Sequence, residues 1–343
     1  MDKLIIASTR KDSGKTSIII GIAKLLGKDF GYLKPFGDRL YYRKKRLWDY
    51  DSALMTGVFN LGESPEDMSI GFEHTKIRYM YTEETIGDKL SEMLADAGKG
   101  RDLLFIEGPQ SLSYGSFVHL DALSVAGSVG GKLIVVVSGD EGSVMDDLAF
   151  IKKSVDMTGV DFRGVIINKV QDVEDFRDSY LESINSMGIN VIGILPYTPE
   201  LTHLSVNNLT ERFFVKVIAG EGGLNRIIKN VFIGAMNAEA ALEEPIFKKG
   251  EKLIITGGDR DDMIIAALES DTSCVILSNN IVPGSNIIAR ASEKNIPLLL
   301  VSEDTYQIAR QIDTIEPVLT KDDQAKMTAI EAMVKGHIDI EKI

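Results

Sequence analysis

Short runs of consecutive apolar residues, each closed by a glycine, a proline or a charged residue, recur through the N-terminal part of the chain. They cover Leu4-Ile5-Ile6-Ala7, Phe30 to Leu33 within 30–37, Leu103-Leu104-Phe105-Ile106 within 102–109, Leu133 to Val137 within 132–139, Val165-Ile166-Ile167 within 164–170, and 190–195. Strands apolar on both faces belong to a parallel sheet covered by helices. Helical spacing of apolar positions fills the intervals after the first strand (Ile18, Ile19, Ile20, Ile22, Leu25, Leu26), over 85–97 and over roughly 147–158. From about Ser205 the pattern changes: helical segments are predicted over roughly 206–228 with a break at Gly220, Gly222 and Gly223, then strands at 231–236, 252–260, 274–277 and 297–301 alternating with helices at 262–269 and 284–294. This predicts a second, smaller α/β unit, with a boundary near 215, residues 216–320 as the second domain, and 321–343 as a C-terminal helical tail that docks on either domain or on a partner.

Composition narrows the function. The 343 residues suffice for two cores, and the net charge of −13 argues against a non-specific nucleic-acid binder. Arg43-Lys44-Lys45-Arg46 is the densest basic run, read as a solvated loop in preference to an anion clamp. No segment is apolar over a bilayer-spanning length, and the opening residues lack the features of a signal peptide, so the expectation is a cytoplasmic protein with no membrane partner. The single cysteine, Cys274, lies in an apolar run and is expected to be a core thiol.

The chemistry centres on the turn after the first strand, Thr9-Arg10-Lys11-Asp12-Ser13-Gly14-Lys15-Thr16-Ser17. A glycine that lets the backbone approach, a lysine that reaches the outer phosphates and a hydroxyl that ligates Mg²⁺, placed at the start of a helix, make a phosphate cradle. The spacing departs from the usual loop: where its first glycine belongs stand Thr9 or, with one extra residue, Ser8. Lys34, in Lys34-Pro35-Phe36-Gly37, is either a solvated charge or a group at the strand's carboxyl end facing the same ligand. Asp49 or Asp51 caps the following helix or supplies a metal ligand, and Glu107 ends its strand where a Walker-B carboxylate sits. In the second unit, Thr256-Gly257-Gly258-Asp259-Arg260-Asp261-Asp262 is a strand-to-helix turn in which Asp259 or Asp261 caps the helix and Arg260 points away.

Gly14-Lys15-Thr16, Lys34-Pro35, Asp51-Ser52-Ala53, Glu107-Gly108 and Asn168-Lys169-Val170 together resemble the dethiobiotin synthetase and cobyrinic acid a,c-diamide synthase group of P-loop ATPases, in the form found at the N-terminus of some phosphate acetyltransferases. The region of Gly257 to Glu269, with Ile296 to Val301 and Asp304-Thr305, resembles a DRTGG domain. The resemblance implies a P-loop NTPase-type, mostly parallel α/β sheet with helices on both faces, followed by a smaller α/β DRTGG domain. It implies ATP and Mg²⁺ as cofactors. Ser13, Gly14, Lys15, Thr16 and Ser17 would cradle the phosphates, Asn168 would meet the adenine, and Thr16, Asp51 and Glu107 would surround the metal. Lys15 and Lys34 would be catalytic, Lys34 beside the carboxylate, carbamate or acyl phosphate of an unnamed small-molecule substrate, in a phosphoryl transfer that activates it. A regulatory protein that only senses adenine nucleotide is the alternative. The resemblance also implies homodimerisation, with Asp259 and Arg260 at an interface or regulatory pocket, and sets Arg10 where related ATPases carry a lysine that crosses to a second subunit.

Overall fold

The computed structural model describes residues 1–43, 46–213, 215–313, 315 and 318–343, so Lys44 and Lys45 of the basic run lie outside the described residues. The chain divides into two units, 1–198 with 319–343, and 199–318.

In the first unit the sequence of elements is β1 (Asp2–Ser8), α1 (Lys15–Leu26), β2 (Phe30–Leu33), β3 (Leu40–Arg43), β4 (Arg46–Asp49), α2 (Tyr50–Phe59), α3 (His74–Met80), α4 (Glu83–Ala97), β5 (Leu103–Glu107), α5 (Ala122–Val129), β6 (Lys132–Ser138), α6 (Glu141–Ser154), β7 (Asp161–Val170), α7 (Val173–Ser186) and β8 (Val191–Pro196). Six strands form one sheet in the order β2-β5-β1-β6-β7-β8, parallel throughout, as the uniformly apolar runs predict. β1 lies between β5 and β6, with Ile6 opposite Glu107 and Ser8 opposite Val136. Its carboxyl end therefore sits where the strand order switches sides, the usual place for a ligand crevice in an open α/β sheet. Several of these helices start where a side chain satisfies their free N–H groups: Asp49 accepts from the amides of Asp51 and Ser52 at α2, and Asp140 from that of Ser143 at α6, as Thr82, Asp121 and Asp172 do for α4, α5 and α7. The Asp140 cap makes α6 begin at Glu141, ahead of the predicted 147. The antiparallel β3–β4 hairpin is an addition to the elements that the apolar pattern predicts.

The second unit contains β9 (Leu204–Ser205), α8 (Val206–Phe213), β10 (Lys216–Ala219), β11 (Ile227–Ile228), β12 (Asn230–Ile233), α9 (Ala238–Glu243), α10 (Pro245–Lys248), β13 (Lys252–Gly257), α11 (Asp261–Leu268), β14 (Thr272–Ser278), α12 (Ser285–Glu293), β15 (Leu298–Leu300) and α13 (Thr305–Asp313). Its sheet runs β10-β15-β14-β13-β12, parallel except for β10 at one edge. This corrects the helix expected over 206–228, which stops at Phe213. Lys216-Val217-Ile218-Ala219, half β-branched, fills the open edge of β15, and Ile227-Ile228 pairs with β9. Gly220 ends β10 with φ 68°, where a Cβ would fall 2.2 Å from the Ile296 carbonyl oxygen. Cys274 is buried in β14, where desolvation pushes its thiol pKa up, as a core thiol requires.

The unit boundary lies at 198/199, ahead of the expected 215, because α8 shares a hydrophobic cluster with Leu253, Ile255 and Ile276 of the second sheet. The C-terminal segment returns to the first unit. Its helix α14 (Gln324–His337) lies against α1, with Ile330 and Val334 over Gly21, and Ile338 bridges to Gly193 on the β8 edge. No helix among the described residues is long and apolar enough to cross a membrane.

Candidate functional site

The loop between β1 and α1 is built around two residues in left-handed conformation, Asp12 (φ 57°) and Gly14 (φ 92°). Gly14 is required twice over: its φ suits glycine, and a Cβ there would lie 2.4 Å from Asn168 Nδ2. Asn168, at the end of β7, donates from that nitrogen to the Ser13 carbonyl at 2.8 Å, and Lys169 Nζ donates to the Asp12 carbonyl at 2.6 Å. β7 thus holds the loop from below. Lys15 opens α1 with its side chain buried, and its Nζ donates to Ser8 Oγ at 2.9 Å. Ser8 in turn donates to the Arg10 carbonyl at 2.8 Å, so the residue that replaces a glycine here contributes a hydroxyl to the loop. Burial lowers the Lys15 pKa, against the opposing pull of Glu107. Ser17 follows half-buried in the first turn of α1.

Thr16 and Glu107 are brought together, Oγ1 donating to Oε1 at 3.0 Å, while Tyr32 donates to Oε2 at 2.9 Å. Burial, reinforced by the charge of Asp51, pushes the Glu107 carboxyl up to about 7. A hydroxyl and a carboxylate at this distance at a helix start fit a hard, oxygen-seeking ion such as Mg²⁺, and the glycine cradle beside them fits a phosphate chain.

Lys34 follows β2 directly and lies close enough to Lys15 for the two charges to oppose each other. It is 1 % exposed, so it is no solvated charge, and its Nζ lies 2.6 Å from Asp38, 2.6 Å from Asp51 and 3.3 Å from Asp49. Burial works against its charge, but the surrounding carboxylates, Asp51 first, outweigh it and raise its pKa. Asp51 has both oxygens engaged, Oδ2 on Lys34 and Oδ1 on Arg39 at 3.4 Å, and these cations overcome burial to hold it at about 2. Asp49, which also caps α2, is raised by burial to about 6. Asp38, Asp49 and Asp51 offer oxygens within 4.8 Å of one another, a spacing that suits a metal, but the Lys34 ammonium stands among them. The Lys34-Pro35 motif pointed to this region. Asp38 and Arg39 carried no such signal, because their value comes from the β3–β4 hairpin folding them against α2.

Arg10 is turned onto α6, with Nε 2.8 Å and Nη2 2.9 Å from the Asp147 carboxylate. Beside the loop, toward β6–β8, lies a cleft of about 730 Å³ whose lining includes Asp12, Gly139, Lys169, Val170 and Tyr197. In the second unit Arg260 departs from its expected freedom: Nη2 donates to the Met236 carbonyl at 2.7 Å and Nε pairs with Asp262 at 3.1 Å. The N-cap position of α11 is taken by Arg260, whose side chain makes no cap, in place of the expected Asp259 or Asp261. Gly258 is forced, since a Cβ would meet the Ile281 carbonyl oxygen at 1.7 Å.

An AAA domain family model matches residues 2–205, more than half of the chain, and a DRTGG domain model matches 208–315. Among curated proteins, the phosphate acetyltransferase of Nitratidesulfovibrio vulgaris is 22% identical over 98% of this chain and 50% of its own length, and that of Pseudomonas putida 25% identical over 99% and 51%. The chain thus spans about half the length of these relatives. Among solved structures, the CBS and DRTGG domains of a Clostridium perfringens pyrophosphatase match 35% of this chain and 51% of theirs at 26% identity and a TM-score of 0.29. Cobyrinic acid a,c-diamide synthase from Mycobacterium smegmatis matches 57% and 86% at 15% identity and a TM-score of 0.34. At those scores neither structure bears on function. The chain belongs to the AAA domain family of dethiobiotin-synthetase-like P-loop proteins and carries a DRTGG domain behind it, the arrangement of the N-terminal region of phosphate acetyltransferases.

Proposed function

We propose that this chain binds Mg·ATP in its first unit and acts as an adenine-nucleotide-responsive regulator, in preference to a ligase that phosphorylates a carboxylate- or carbamate-like metabolite. One observation carries the choice. Activation of an acceptor by phosphoryl transfer needs a cation free to hold it beside the transferred group. Lys34, the residue for that task, is sealed from solvent and matched by three carboxylates within 3.3 Å. Its charge is already spent. The cradle, by contrast, keeps what binding requires. Loop amides and Lys15 would meet the phosphates, Thr16 and Glu107 would hold Mg²⁺, and the base would lie in the cleft past Asn168, against Tyr197. Mg²⁺ would supply neutralisation of phosphate charge. Asp51 joins the metal only by giving up a cation it now pairs with. The resemblance supports a cytoplasmic homodimer in which the DRTGG domain reads out occupancy; Arg260 then acts through the Met236 and Asp262 contacts it already makes.

Calorimetry with ATP, ADP and GTP, with and without Mg²⁺, tests the binding. The expected result is Mg²⁺-dependent ATP binding with adenine preference, weakened about tenfold or more by Lys15→Ala through loss of charge-assisted contacts. Phosphate release across a panel of small carboxylates and carbamates is expected to stay at the basal level. Turnover that appears with one metabolite and vanishes in Lys34→Ala would return the chain to the ligase reading.

A further inference from the structure

We propose that Arg39 is a phosphate-reading arginine held in reserve: a bound γ-phosphate draws its guanidinium off Asp12 and Asp51, and the site thereby tells ATP from ADP. This rests on the nucleotide binding proposed above.

Asp12 puts a carboxylate inside a loop shaped for phosphate, where like charge opposes a triphosphate. Arg39 masks it, Nη2 lying 2.5 Å from Asp12 Oδ1, while Nη1 lies 3.4 Å from Asp51 Oδ1. The two acids belong to the phosphate loop and to the first turn of α2, so the guanidinium spans from one to the other.

Its backbone is fixed and its side chain is not enclosed. The Arg39 amide donates to Asp49 Oδ2 at 3.1 Å and its carbonyl accepts from the Tyr50 amide at 2.7 Å, anchoring the residue at the base of the hairpin. The side chain is 31% exposed, against 2% for Lys34 beside it. Its departure strands neither of these two acids as a buried, unmatched charge. Asp51 keeps Lys34 at 2.6 Å, and Asp12, 34% exposed to solvent, keeps Lys11 at 3.7 Å. Lys34 has no such freedom, because three acids with little solvent depend on it. Of the two cations on Asp51, Arg39 is the one that can transfer to a ligand. A guanidinium binds phosphate oxygens bidentately, and the terminal phosphate adds the charge that ADP lacks.

Calorimetry on the full chain with Mg·ATP and Mg·ADP, for wild type, Arg39→Ala, Arg39→Lys and Asp12→Asn, tests this. Arg39→Ala is expected to weaken ATP about tenfold or more while leaving ADP nearly unchanged, a loss of the size of one or two charge-assisted hydrogen bonds. Arg39→Lys should restore part of it. Asp12→Asn, which loosens the parked state, should tighten ATP several-fold. A merely structural staple predicts otherwise: equal loss for both nucleotides in Arg39→Ala and no gain in Asp12→Asn, and either result overturns the proposal. Should Arg39→Ala fold poorly, the direction of the Asp12→Asn effect decides alone. If Lys15→Ala abolishes binding but the ATP-to-ADP ratio ignores residue 39, only this inference falls; if wild type binds neither nucleotide, both fall.

Discussion

Glu107 shows how a single residue in this site acquires its properties. It ends a strand buried on both faces, accepts from Thr16 and Tyr32, and shares its surroundings with Asp51, so its carboxyl is pushed from 4.5 to about 7. A carboxyl raised on folding favours the protonated native state, so its contribution to stability is fully present below pH 4.5 and is lost as pH rises through about 7. Moving from pH 6 to pH 8 should therefore lower the melting temperature of wild type more than that of Glu107→Gln, as thermal melts at the two pH values would register. An equal drop would mean that Glu107 is ionised throughout. If Glu107 holds Mg²⁺ as proposed, the ion would have to displace the same proton, and Mg²⁺ affinity measured by calorimetry should fall as pH drops below 7. The Gly-Lys-Thr turn was readable at this scale because it follows an apolar strand and opens a helix, and Glu107 and Asn168 because each lies at or near the end of an apolar strand. The pairing of Lys34 with three acids was not, since Asp38, Asp49 and Asp51 are joined to it only by the turn and hairpin that follow.

Between elements, the contact of α1 with α14 is the tightest test of packing. A Cβ on Gly21 would lie 2.3 Å from Val334 Cγ2 and 2.9 Å from its Cβ. Alanine gains up to about 1 kcal/mol over glycine in a helix interior, but forced overpacking costs about 1–3 kcal/mol. Gly21→Ala should therefore lower stability in urea unfolding of the full chain, and adding Val334→Ala should recover part of the loss, because the two sites share one clash. Strands buried on both faces announced themselves as apolar runs, whereas β10 did not. Its four residues are half-buried at most except Ala219, and they become a strand because β15 presents an unpaired edge.

On the scale of the molecule, the chain leaves its first unit at 198, builds a second from 199 to 318, and returns with 319–343. The returning segment covers α1 and adds a bridge at the β8 edge, the Asp339 amide donating to the Ile192 carbonyl at 2.9 Å. Residues 1–198 alone should then melt lower, and bind more of a hydrophobic dye, than the same residues joined through a short linker to 319–343. Identical melts would show the C-terminal helix to be dispensable for that unit.

The sequence by itself determined the two α/β units, most of their buried strands and a P-loop-type turn after the first strand. Apolar periodicity and the Gly-Lys-Thr order after the first strand are local properties that any fold of this chain must honour. Tertiary structure alone decided which strand fills an open edge, where the C-terminal helix lands, and that Lys34 is matched by Asp38, Asp49 and Asp51 while Arg39 reaches across to Asp12. Charge partners are set by distance in space, and a buried ammonium takes whatever carboxylates the fold brings within reach, because leaving it unmatched in a low-dielectric interior costs more than any local preference can offset.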